Sequence, residues 1–187
     1  MEDRSQLRAD DDDASALLRR LETAFGARVE PERLWSSDHV PEDVSEVQSF
    51  RNLDWSTLSV DHLARNHSAL YFFSPEAFRF FLPRVLASGL REGRTDILAY
   101  DSIVGSLDRS PRTDYWDDGF RERWEPLSAV ECSAVQEWLL WLQREDGESY
   151  PENAFDRAFD TLTSLSDRAN ERDRTLVPEE RSTSTRR

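Results

Sequence analysis

The chain has 187 residues, 37% hydrophobic and 11% aromatic, enough to bury one core and short enough to favour one domain. Acidic residues outnumber basic ones 38 to 24, and the resulting charge of -14 repels phosphate backbones and anionic lipid surfaces, so neither nucleic acid nor membrane is an expected partner. Every basic residue is Arg, which removes the amine that Schiff-base chemistry needs, and the six glycines never form G-x-G, which removes both glycine fingerprints for nucleotides.

Residues 1 to 12 are polar and lead into the run Asp10 to Asp13, which predicts a disordered acidic arm. The start shows no apolar stretch behind basic residues, and nowhere do 18 apolar residues follow one another, so a cytoplasmic protein is expected. Asp13 has the character of an N-cap. Leu17, Leu18, Leu21, Ala24 and Phe25 then recur at three- and four-residue spacing, and Gly26 falls where a left-handed cap would end the helix. From 29 to 53 the pattern dissolves into Pro, Ser, Asp and Glu with scattered Val, Trp35 and Phe50. A connector of that length is unusual, and either lies over the core or hides short structure.

Trp55, Leu58 and Leu63 predict a short helical turn capped by Ser59 or Thr57, and Leu70 to Phe73 reads as an extended apolar stretch. Ser74 as N-cap, Pro75 as first helical residue, and Phe73 with Phe78 as a hydrophobic staple open the next helix. Pro83 lies inside its apolar stripe and costs roughly 3 kcal/mol there, which predicts a kink or break near Leu82. Ile97, Tyr100, Val104 and Leu107 mark another helix. Two capping-box patterns follow, Ser128 with Glu131 and Ser149 with Glu152, each ahead of a helical stripe. Beyond Ala169 the composition predicts a polar tail.

Chemistry-bearing groups are sparse. His62 and His67, five residues apart, sit about 140° apart on a helix and do not form a metal-binding pair. His39 is isolated, and no cofactor or metal is expected. Cys132, the single cysteine, excludes an internal disulfide and reads as a buried small hydrophobe. The segment Thr113 to Glu125 concentrates aromatics among acids. Its Asp114, Tyr115, Trp116, Asp117, Asp118 and Glu122 form a candidate surface for a basic protein, because aromatic anchors and negative charge together favour cationic partners. The alternative is that its aromatics anchor the segment to the core while the acids face water.

The stretch LYFFSPEAFRFFLP, Leu70 to Pro83, resembles the signature of a bacterial domain-of-unknown-function family marked by a T-P-E-A-F-R-Y-x-L-P motif, with Ser74 in place of Thr. Phe50, Arg51, Asp54 and Trp55, and the block from Leu127 to Leu139, are similar to two further family blocks, for a coverage of residues 15 to 145. The resemblance implies a compact helical bacterial protein and names no catalytic residue. It does not extend to the acidic N-terminal arm or the polar C-terminus.

These readings predict an all-α domain over residues 13 to 169, a bundle of five or six helices with a long N-terminal connector. Phe78, Phe81, Trp138, Phe155 and Phe159 are expected in its core. The expected function is an acidic interaction module of the immunity or antitoxin kind that binds a basic partner. The first alternative is a small enzyme built on His67, Asp61 and Glu76, metal-assisted or not. The second is a nucleic-acid mimic, against which the Arg residues interspersed among the acids argue.

Overall fold

Several long helices of the protein begin at a serine that satisfies a free backbone N–H group or end at a glycine in the left-handed region. A computed structural model describes residues 4–26, 28–36, 44–110 and 112–176. Among these are nine α-helices: α1 (Arg4–Phe25), α2 (Val44–Gln48), α3 (Val60–Arg65), α4 (Ala69–Phe72), α5 (Pro75–Glu92), α6 (Leu98–Leu107), α7 (Asp118–Trp124), α8 (Ala129–Asp146) and α9 (Ala154–Leu176). The all-α expectation holds. The count exceeds five or six because α2, α4 and α7 are too short to show a periodic stripe.

The strongest sequence punctuation is realised. Ser74 accepts from the Ala77 N–H at 3.1 Å, with Pro75 as the first helical residue. At α8, Ser128 accepts from the Glu131 N–H at 3.2 Å and Glu131 accepts from the Ser128 N–H at 2.8 Å, a complete capping box. Ser59 caps α3, and Gly26 and Gly93 close α1 and α5 at φ 61°, a left-handed geometry that glycine adopts without Cβ strain.

α5 is the central element, with nearly every residue from Ala77 to Leu90 buried. It packs on α1, α3 and α7, while α8 packs on α1 and α9, and α6 on α9. Pro83 does not break the helix, which runs unbroken from Pro75 to Glu92. Burial on all sides offsets the lost hydrogen bond and ring clash that a proline introduces. Phe73 stacks on Phe81 at 5.0 Å, whereas Phe78 meets Trp124 at 5.1 Å, so the two staple residues find different partners. Of the expected core, Phe78, Phe81, Trp138 and Phe155 are buried and Phe159 is half-buried.

Several boundaries differ from the sequence reading. α1 begins at Arg4 rather than Asp13, so residues 4 to 12 are helical and not a disordered arm. Once Leu17, Leu21 and Phe25 hold the helix on the core, each further residue extends an existing nucleus. Leu70 to Phe72 are helical within α4, and only Phe73 is extended, in an antiparallel bridge with Trp35. The connector contains α2 and is pinned through buried Leu34, Val47 and Phe50, with Phe50 packed edge-on against Phe73, Phe81 and His62. Ser149 does not cap α9: it lies in a 3-10 turn, Gly147–Ser149, where its hydroxyl donates to Asp146 at 2.5 Å, and α9 starts after Asn153. At the other end α9 continues past residue 170 to Leu176, where Arg172 donates to the carbonyls of Glu125 and, at 3.0 Å, Leu127. Residues 177–187 and the 37–43 stretch with His39 lie outside the described residues. Among the described residues no helix is long and apolar enough to cross a membrane.

Candidate functional site

The aromatic-acidic segment folds as a 3-10 turn, Thr113–Tyr115, followed by α7. Asp117 is the N-cap of α7, accepting from the Phe120 N–H at 2.8 Å and from Arg109 at 2.6 Å. The backbone bond first and the guanidinium second hold its carboxyl below the usual carboxylate range. Trp116 is 4% exposed, its indole N–H donating to the Ser110 carbonyl at 3.1 Å, with Phe120 and Trp124 buried behind it. Arg121 ties the turn down through the carbonyls of Trp116 and Thr113.

The six residues proposed for a partner therefore divide. Trp116 belongs to the core, Asp114 is paired with Arg112 at 2.8 Å, and Asp117 is committed to the cap and Arg109. Tyr115, 64% exposed, remains available, although Arg112 lies over its ring at 4.6 Å. Asp118 and Glu122 stand exposed one helical turn apart and form no ion pair with a described Arg. Counting acids alone misjudged the segment, because Arg109, Arg112 and Arg121 are its own counter-ions.

Two clefts flank helix α6 and share its ridge of Leu98, Asp101 and Gly105. The first, about 700 Å³, lies between α4, α6 and α7, with Phe78, Phe120 and Trp124 on its floor and His67, Tyr71 and Arg123 around it. Arg123 donates one amino group to the carbonyls of Tyr71 at 2.7 Å and Phe73 at 3.2 Å, and burial lowers its guanidinium from the ordinary value. At the rim, Tyr71 is 61% exposed and bonds through its hydroxyl to Ser102 at 2.9 Å.

The second cleft, about 620 Å³, lies between α6 and the corner joining α8 to α9, and is lined by Asp96, Asp101, Asp108 and Asp146 together with Leu98 and Tyr150. Asp108 is paired with Arg157 at 2.8 Å and Asp96 with Arg94 at 3.0 Å. Asp101 and Asp146 pair with no described Arg, and Asp146 takes only the Ser149 hydroxyl. Burial first, and then the charge of Asp101, push the Tyr150 phenol well above its ordinary value, marking the cleft as electronegative. The four carboxylates do not converge: among the described residues no three His, Cys, Asp or Glu side chains gather as a metal ion requires. Such a cleft suits an extended organic cation better than a metal.

The residues of the alternative enzymatic site are not brought together. Asp61 pairs with Arg94 at 3.2 Å, Glu76 with Arg79 at 3.8 Å, and His67 opens into the first cleft. His62 lies edge-on to Phe50 with Nε2 3.1 Å from the Ser49 hydroxyl, and burial first, then Arg65, lower its pKa. Cys132 is buried, and desolvation pushes its thiol up to about 12.

The spacing of Leu98, Asp101, Gly105 and Asp108 at i, i+3, i+7 and i+10 could have flagged one exposed face of α6. Nothing in the sequence links that face to Asp146 or Tyr150, about forty residues on. The fold and these clefts define a mostly helical, single-domain protein with an acidic cleft and a cation-bearing cleft on opposite sides of one helix. No family model, no curated protein and no solved structure matches the chain.

Proposed function

We propose that the protein is an acidic interaction module, of the immunity or antitoxin kind, that binds a basic partner protein through the cleft between α6 and the α8–α9 corner. The observation that carries this reading is the set of four aspartates lining one cleft, two of them without a described cationic partner, beside the 53%-exposed Leu98 and the ring of Tyr150. Arg or Lys side chains of a partner would find charge, an aromatic ring and apolar surface in one place. Asp118 and Glu122 add exposed charge on α7, and the net charge of -14 accelerates encounter with a cationic surface.

Affinity capture from the source organism's lysate at low and high salt tests the reading, with the Asp101→Asn, Asp146→Asn double variant alongside. A basic protein retained at low salt, weakened by salt, lost by the double variant and kept by an Asp160→Asn control on α9 supports it. Absence of any specific partner at low salt, or a partner that the double variant retains, refutes it.

A further inference from the structure

Arg123, like Arg84 and Arg91, is a partly desolvated arginine held by backbone carbonyls, and it is the one of the three that lines the cleft of about 700 Å³. Its burial lowers the guanidinium pKa, it forms no ion pair with a described carboxylate, and only one of its amino groups is occupied, by two backbone carbonyls. Its ring neighbour is Phe78, 5.7 Å away, so the cation lies against an aromatic face at the edge of the first cleft. The other charged residues lining the cleft are Arg109 and Asp117, which pair at 2.6 Å, and Asp101 on the ridge shared with the acidic cleft. Arg123 is therefore a cation with free N–H groups beside an aromatic floor, felt by Asp117 and Glu122 at a distance but bridged by neither.

Gly105 gives an independent indication. It sits inside α6, where glycine is less favourable than alanine, yet its backbone is not left-handed and a Cβ would meet nothing within 4 Å. Packing therefore does not call for glycine at this position. Its effect is to leave the wall of the cleft open, the use glycine has where a bound molecule approaches backbone closely.

We propose that the cleft between α4, α6 and α7 binds a small organic carboxylate with an aromatic or bulky apolar body. The carboxylate meets the free N–H groups of Arg123, the body rests against the exposed Tyr71 and Leu98 side chains above the buried aromatic floor, and Gly105 keeps the entrance clear. A cleft of about 700 Å³ with an aromatic floor and a polar rim has the dimensions of small-molecule sites. The guanidinium favours a planar carboxylate because it presents parallel N–H donors.

The test is titration of the full chain with phenylpropionate, its neutral isostere phenylpropionamide, and inorganic phosphate, read by two-dimensional NMR at the Gly105 and Gly119 amides. Saturable shifts with phenylpropionate are expected, with binding at least about tenfold weaker for the amide and for phosphate, as loss of a charge-assisted hydrogen bond or of the apolar body predicts. Gly105→Leu, whose Cβ meets nothing within 4 Å, and Arg123→Gln should each weaken binding by a similar factor. No saturable shift at millimolar phenylpropionate, equal binding of the amide or of phosphate, or unchanged binding in Gly105→Leu overturns the proposal. Partner capture through Asp101 and Asp146 is a separate readout, so either reading can fail without the other.

Discussion

Gly89 is the position at which a single added methyl group should do most damage. A Cβ there would lie 2.2 Å from the Tyr100 hydroxyl oxygen, 2.4 Å from the Arg94 carbonyl oxygen and 2.8 Å from Tyr100 Cζ. None of these atoms is free to yield. Tyr100 is fully buried, its hydroxyl donates to the Leu86 carbonyl at 2.9 Å and accepts from the Gly89 N–H at 3.0 Å, and its ring packs edge-on against Trp138 at 4.8 Å. Arg94 is held by its own N–H to the Gly89 carbonyl at 3.0 Å, in the turn that ends α5. Overpacking costs about 1 to 3 kcal/mol and a buried hydroxyl torn from its partners a further 1 to 3, so the clash is worth about 2 to 6 kcal/mol.

Alanine in a helix also gains about 1 kcal/mol over glycine, and Gly105→Ala measures that gain alone, because its Cβ meets nothing. Urea unfolding followed by tryptophan fluorescence and circular dichroism should show Gly105→Ala stabilised by about 0.5 to 1 kcal/mol and Gly89→Ala destabilised by about 1 to 5, centred near 3. The latter corresponds to a fall in melting temperature of roughly 10 °C for a domain of this size. Tyr100→Phe removes the nearest clashing atom, so the double variant Gly89→Ala, Tyr100→Phe should lose less than the sum of its parts. Equal stabilities of the two alanine variants, within about 0.5 kcal/mol, or strict additivity in the double variant, would refute the reasoning.

Two further outcomes follow from local chemistry. Cys132, buried and with its thiol pushed up to about 12, should resist a thiol-specific reagent at neutral pH in the native protein and react at the ordinary rate once urea unfolds it; fast native labelling contradicts the burial. Asp54 accepts hydrogen bonds from the hydroxyls and N–H groups of Ser56 and Thr57, which hold its carboxyl at about 2 against an ordinary 3.8. Because the folded value is depressed, its contribution to stability is complete above pH 3.8 and is lost as pH falls through about 2. The unfolding midpoint of Asp54→Asn should vary less between pH 4 and pH 2 than that of the parent, and an identical slope argues against the hydrogen-bonded carboxylate.

What the sequence determined by itself was local and periodic. Ser74 with Pro75, and Ser128 with Glu131, marked helix starts because side-chain acceptors satisfy the free N–H groups of the first turn with residues three positions apart. The same logic failed at Ser149, where Asp146 competes for the hydroxyl, and at Pro83, where burial of α5 on all sides outweighs a local penalty. The α4 segment and the connector were unreadable because their conformation depends on distant partners, Trp35 for Phe73 and Phe81 for Phe50. Tertiary structure alone decided the site. It buried Trp116, matched Asp114 and Asp117 with nearby Arg, and carried Asp101 and Asp146 into one cleft by packing α6 against α9. Charge in the sequence is a sum, whereas binding depends on which charges remain uncompensated after folding, and that is a property of pairs in space.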